Sequence, residues 1–263
     1  MMALTDSQLQ AYFRRIGYTG TPDHTYQTLA QIQKAHLNHI PYENLDILQG
    51  VPLSLDEEHL FTKMVTNHRG GYCFEQNGLL YAALTGLGFS VTQFCGRFID
   101  GEPKVIQDRR HRVLRVEAED GVFICDVGVY GESPRRPLRL VEGEIQGDGL
   151  CQYRYLKDDF YGWVECQKER GKGWRWVYGF TEEPWRSYDF EQPSFFCEKH
   201  PQSIFNTIRK VGIFREEQSL TYIDDVFTIY AMGQILYRET VPEEYAADYL
   251  SRHFGIQLEG GNP

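Results

Sequence analysis

The chain has 263 residues, 41% hydrophobic and 24% charged, with a formal net charge of −10. That length exceeds the usual span of one core, so two or three lobes are expected in a folded globular protein. An acidic surface repels phosphate backbones and anionic lipid, which sets nucleic acid and membrane aside as partners. The basic clusters Arg109, Arg110, Arg112 and Arg135, Arg136, Arg139 are local exceptions able to meet a small anion. No apolar run approaches the roughly 20 residues of a membrane span, and the first residues lack the apolar core of a secretory leader. Cys73, Cys95, Cys125, Cys151, Cys166 and Cys197 are widely spread, with no C-x-x-C pair. Reduced thiols in a cytoplasmic protein are expected, rather than a disulfide framework or a bound metal.

In chain order, residues 1 to 87 read as helical. Thr5 or Asp6 caps a helix with Leu9, Tyr12, Phe13 and Ile16 on one side. A second helix over Tyr26–His39 carries Leu29, Ile32 and His36 or Leu37, and Pro41 ends it. Ser54 with Glu57 reads as the capping box of a third helix reaching Asn67, and a fourth runs from Cys73 to Gly86 or Gly88. From Ser90 the pattern turns to short β runs, predicted at 91–99, 112–116, 122–127, 152–156, 161–166 and 174–177, suggesting a barrel or sandwich. Residues 181–200 read as turns around Pro184 and Pro193. A meander follows at 204–214, 218–223, 226–232 and 234–237, then a helix over 243–254 and a frayed Gly-Gly-Asn-Pro end. Met64 and Met232 read as core.

The chemistry concentrates at Arg69-Gly70-Gly71-Tyr72-Cys73-Phe74-Glu75-Gln76-Asn77. Two glycines permit a tight turn into a helix that opens at Cys73. A helix N-terminus lowers a thiol pKa and offers N–H groups to an oxyanion. Gln76 and Asn77 share the inward stripe with Cys73, an odd choice for an inert core. Cys95 and Cys125 lie within apolar strands and read as packing residues.

A nucleophilic thiol needs a base and a group that orients it. His111 opens one β run and Asp126 closes the next, with Ala118-Glu119-Asp120-Gly121 as the turn between. If Glu117 faces Val122, then Val113 faces Asp126 and His111 faces Gly128. Side chains alternate with period two, so His111 and Asp126 share a face as diagonal neighbours. An odd loop would separate them. His36-x-x-His39 is a weak metal pattern without a third ligand, and nucleotide-binding glycine motifs are missing.

These segments resemble arylamine N-acetyltransferases. Residues 69–77 match that family's R-G-G-x-C-x-E-x-N signature, Ile40-Pro41-Tyr42-Glu43-Asn44-Leu45 its I-P-F-E-N-L, and His200-Pro201-Gln202-Ser203-Ile204-Phe205 its H-P-x-S-x-F. The resemblance implies an α+β fold: a helical bundle (1–87), a β-barrel (88–185) and an α/β lid (186–263). It implies a Cys73, His111, Asp126 triad, resembling that of cysteine proteases, that takes acetyl from acetyl-CoA and passes it to an arylamine, arylhydrazine or N-hydroxyarylamine. Acceptor contacts are implied for Tyr42, Val129 and Phe196, and coenzyme A contacts for Arg110, Tyr130, Gly131, His200 and Ser203. Where the family has Asp-x-Gly-Phe-Gly, this chain reads Asp126-Val127-Gly128-Val129-Tyr130, and Phe196-Cys197-Glu198-Lys199 replaces a polar run. Monomer and homodimer both stay open. Rival readings are a thiol hydrolase or transglutaminase-like enzyme on the same triad, and a degenerate binding protein.

Overall fold

The computed structural model describes residues 3–99 and 106–258, so the predicted frayed end lies outside the described residues. Helices α1 (Asp6–Ile16) and α2 (Tyr26–His39) form where expected. Thr5 caps α1 through a capping box with Gln8, and Leu9, Tyr12, Phe13 and Ile16 are buried. After strand β1 (Tyr42–Glu43) comes a short helix α3 (Leu45–Leu48) that the sequence reading lacked. Helix α4 (Glu57–Phe61) starts later than expected. Asp56, not Ser54, accepts the Glu58 and His59 N–H groups, and the helix widens into a π-turn over Thr62–Thr66. Helix α5 (Cys73–Gly86) is buried on every face from Cys73 to Leu84, so its inward stripe is only part of its packing.

The next strands are β2 (Ser90–Phe98), β3 (His111–Ala118), β4 (Gly121–Cys125), β5 (Leu138–Arg139), β6 (Gln146–Gly147), β7 (Cys151–Asp158), β8 (Gly162–Glu169) and β9 (Arg175–Phe180). They form an eight-stranded sheet in the order β5-β4-β3-β2-β9-β8-β7-β6. The sheet curls until its two edge strands meet. There the Gln146 side chain accepts from Arg139 N at 2.6 Å and donates to Arg139 O at 2.8 Å, standing in for a strand across the seam. The nearly closed barrel and the helices make an α+β fold. Its interior is filled by Phe94, Val113, Ile124, Tyr155, Tyr178 and Phe180, while Leu114, Val116, Phe123 and Cys125 point the other way into the helices.

Residues 187–199, read as turns, hold a 3₁₀ turn and helix α6 (Glu191–Lys199). Pro193 sits in the first turn of α6, where a missing N–H costs nothing. The meander is shorter at its start than expected: 204–206 is a 3₁₀ turn, and β10 spans Lys210–Arg215. With β11 (Gln218–Ile223), β12 (Val226–Ala231), β13 (Gln234–Thr240) and β1 it makes a second sheet, β1-β10-β11-β12-β13. Met232 is 60% exposed in the β12–β13 turn, whereas Met64 is buried. The expected last helix is a 3₁₀ turn, α7 (Ala246–Tyr249) and a π-turn.

Because β1 belongs to the second sheet, the segment before Cys73 is anchored at both ends. Arg69 binds Glu43 through Nε at 2.9 Å and Nη2 at 3.1 Å, and Asp46 through Nη2 at 2.7 Å. Lys63 joins Asp46 and Glu75, both at 2.7 Å, and Glu75 accepts the Tyr72 N–H at 3.1 Å. Asn44 donates to Phe205 O and Ile208 O and accepts from Lys210 N, which ties the same loop to β10. A Cβ on Gly70 would lie 2.0 Å from Pro41 O, so no side chain fits there. Removing one member of a buried ionic cluster strands its partners. Arg69→Ala should therefore lower unfolding free energy by about 3–5 kcal/mol in urea melts, and a loss below about 1 kcal/mol would contradict a buried role.

Candidate active site

The β3–β4 hairpin has the expected register, with Glu117 opposite Val122 and Leu114 opposite Cys125. Its even loop leaves His111 and Val113 on the same face as Ile124 and Asp126. His111 Nε2 donates to Asp126 Oδ2 at 2.6 Å, with both side chains buried. The other carboxylate oxygen, Oδ1, accepts from Asn77 Nδ2 and from Gly128 N, each at 2.8 Å. Asn77 also donates to Arg112 O at 2.7 Å and accepts from Val127 N at 3.0 Å, and Gln33 Oε1 takes the Asp126 N–H at 3.3 Å. The aspartate thus sits in a fitted cradle of neutral donors, which is how a buried anion is tolerated.

Cys73 stands at the start of α5, 1% exposed, beneath the loop that follows β4. A Cβ on Gly128 would lie 2.8 Å from Cys73 Cα, so glycine is what lets that loop close over the helix end. The thiol Sγ donates to Arg110 O at 3.5 Å rather than to His111. His111 Nδ1 is buried and makes no hydrogen bond. The expectation of a lowered thiol pKa is reversed in this closed site. Burial pushes the Cys73 thiol well above its ordinary value, the neighbouring Cys197 thiol and Asp126 carboxylate add to the shift, and the Phe74 N–H opposes it. Loss of water outweighs the helix end.

The imidazole is wedged between Phe98, at 4.8 Å between ring centres, and Tyr178, at 4.9 Å. Gln76, the other polar residue on the inward stripe, joins a buried chain. Tyr12 meets His36 Nδ1 at 2.9 Å, His36 Nε2 meets Gln76 Oε1 at 2.6 Å, and Gln76 Nε2 reaches Pro41 O at 2.6 Å. Both ring nitrogens of His36 are thereby occupied. Arg112, read as part of an anion-facing cluster, is instead fully buried. It binds Gln93 and Phe74 O and lies 4.8 Å from the Phe190 ring.

A model of the N-acetyltransferase family matches residues 25–262. An arylamine N-acetyltransferase of Mycolicibacterium smegmatis is 34% identical over 257 residues, covering 95% of this chain and 92% of that protein. The chain belongs to the arylamine N-acetyltransferase family. Another member, from Escherichia coli K12, is 33% identical over 95% of this chain and 89% of its own length. The solved Salmonella typhimurium arylamine N-acetyltransferase superposes with a TM-score of 0.92 at 31% identity, over 99% of this chain and 96% of that one. The Mycobacterium marinum arylamine N-acetyltransferase in complex with CoA gives 0.88 at 32% identity, over 94% and 92%.

In this arylamine N-acetyltransferase family member, Tyr42 is buried with its ring 5.2 Å from that of Tyr130, whose hydroxyl donates to Val211 O. Tyr130 and Gly131 line a cleft of about 750 Å³ between the barrel and the second sheet, where Lys172 pairs with Glu169 and Arg175 with Glu132. Phe196 stacks on His200 at 4.1 Å, with the Arg110 guanidinium 5.4 Å from its ring. Two residues implied as ligand contacts have other work. Val129 is 4% exposed within the barrel core. The buried Ser203 hydroxyl donates to Cys197 O at 2.6 Å and accepts the Phe205 N–H, capping a 3₁₀ turn. Gln33, Phe98 and Tyr178 were not singled out in the sequence, since each is one polar or aromatic residue in an ordinary helix or strand pattern. Asn77→Ala leaves Asp126 Oδ1, Arg112 O and Val127 N short of partners. It should cost about 3 kcal/mol in unfolding free energy, and an unchanged denaturation midpoint would show that the cradle does not bear on stability.

Proposed function

We propose that Cys73, His111 and Asp126 form a catalytic triad that transfers acetyl from acetyl-CoA to an arylamine, arylhydrazine or N-hydroxyarylamine through an acetyl-Cys73 intermediate. The observation that carries this reading is the His111–Asp126 hydrogen bond. It fixes the proton on Nε2, so the lone pair of a neutral ring is left at Nδ1, which makes no other bond. The Cys73 thiol, which rests on Arg110 O, is proposed to turn and give its proton to that nitrogen. The ion pair so formed offsets the burial that otherwise keeps the thiol neutral.

The thiolate then attacks the thioester carbonyl. Its sulfur–carbon bond forms, the coenzyme's sulfur leaves as the thiol with the proton from His111, and acetyl-Cys73 remains. An amine attacks in turn, loses its proton to Nδ1, and releases the amide and the thiol, a ping-pong sequence. Asp126 holds the ring and balances the imidazolium charge without taking the proton. N–H groups at the start of α5 are proposed to hold the oxyanion. The cleft lined by Tyr130 and Gly131 has the size for part of a nucleotide, and Tyr130, Gly131, Arg110 and His200 are proposed to contact coenzyme A. Tyr42 and Phe196 supply aromatic surface for a planar acceptor.

Acetyl-CoA without acceptor should add one acetyl group to wild-type protein, located on Cys73 by peptide mass, and a later arylamine should remove it. Steady release of acetate regardless of amine would favour a thiol hydrolase. Cys73→Ala should abolish both steps, and Asp126→Asn should slow acetylation by on the order of 10³–10⁴-fold, by the loss of the productive tautomer.

A further inference from the structure

The wall behind His111 contains an acid that the proposed chemistry does not use. Strand β8 carries Glu165 into the barrel interior, 1% exposed. It lies cross-strand from Tyr155 on β7 and from Tyr178 on β9. The Tyr155 hydroxyl donates to Glu165 Oε2 at 3.2 Å. The Tyr178 hydroxyl is buried beside the same carboxyl, and its ring lies against the His111 imidazole. An inner row of Tyr155, Glu165, Tyr178, His111 and Asp126 therefore circles the barrel wall.

The titratable and charged groups that interact with Glu165 are Tyr153 and Tyr155 from β7, Tyr178 and Arg175 from β9, Asp126 after β4, and Cys166 on its own strand, and Tyr178 in turn lies against His111 of β3. Among the described residues no cation pairs with it. Arg175 is committed to Glu132, at 2.9 Å, and to Gln167. Burial, with the negative charge of Asp126 added, pushes the Glu165 carboxyl up to about 8. An acid stripped of water and given no cation stays neutral.

We propose that Glu165 is a positioning residue: as a neutral acid it seats Tyr178 against the back of the His111 ring, and on losing its proton it places an anion on the far side of Tyr178 from His111 that stabilises the imidazolium. The effect on His111 rests on the acyl-transfer reading; the effect on stability does not. The native acid titrates at about 8 and the unfolded one at about 4.5. Between those values the native chain holds the extra proton, so its stability falls as pH rises through that window and levels off above it.

Glu165→Gln keeps the shape and removes the ionisation, and the test compares it with wild type in two series. Melting temperatures should coincide near pH 4.5 and diverge up to about pH 8, with the variant the more stable. A difference that does not vary with pH overturns the assignment. Alkylation of Cys73 by iodoacetamide should show a rate step near pH 8 in wild type that the variant lacks. Identical alkylation profiles overturn the link to His111. Failure of the acyl-transfer reading is distinguishable, because it appears as missing acetyl-enzyme in both proteins, whereas failure of this proposal appears as superimposable pH series.

Discussion

Everything at the site depends on a hydrogen bond between a buried imidazole and a buried carboxylate, 2.6 Å long, near one end of a barrel. A carboxylate so far from water has to be matched by donors, or it would take up a proton and stop orienting the ring. Here the match, among the described residues, is made without a cation. Asn77 and the Gly128 N–H serve one oxygen and His111 the other, and the backbone on either side of Asp126 is pinned by Gln33 and Asn77. Among the described residues no cation contacts the aspartate, so the imidazole is its one titratable hydrogen-bond partner.

That arrangement couples the two halves of the chemistry across different elements. Asn77 lies one helical turn beyond Cys73, so the residue that steadies the aspartate rides on the same helix as the thiol. Gly128 works from the other side. Its N–H binds the carboxylate, and its missing side chain lets the loop pack onto Cys73. The Glu43, Asp46, Lys63, Arg69 and Glu75 cluster then fixes where α5 begins. Several residues of the chain's most distinctive motifs are thus engaged in holding the helix end in place. Chemistry and support are read together in the sequence because they occupy the same few turns.

The hairpin was legible because its information is local: an even turn and period-two alternation fix which residues share a face, and the observed register follows from them. Amphipathic α1 and α2 were legible for the same reason. What was not legible depended on distant partners. Helix α6 hid behind two prolines, one of which occupies a first-turn position where it is harmless. Arg112 looked like a surface charge, yet strand parity sends it toward α5, where Gln93, Phe74 O and Phe190 enclose it. The helix-end argument for Cys73 was sound as local electrostatics and failed because burial, which only the tertiary fold supplies, has the larger effect. Glu165 is one acidic letter in an alternating strand, and its meaning comes from the tyrosines on either side of it in the sheet.

The central claim is that Asp126 holds His111 with its proton on Nε2 and its lone pair on Nδ1. Nitrogen-15 NMR of the histidine-labelled protein, at a pH where the ring is neutral, reads this directly. The account predicts a protonated Nε2 and an unprotonated Nδ1 for His111, with that preference lost in Asp126→Asn. A neutral ring carrying its proton on Nδ1 in the wild-type protein would contradict it.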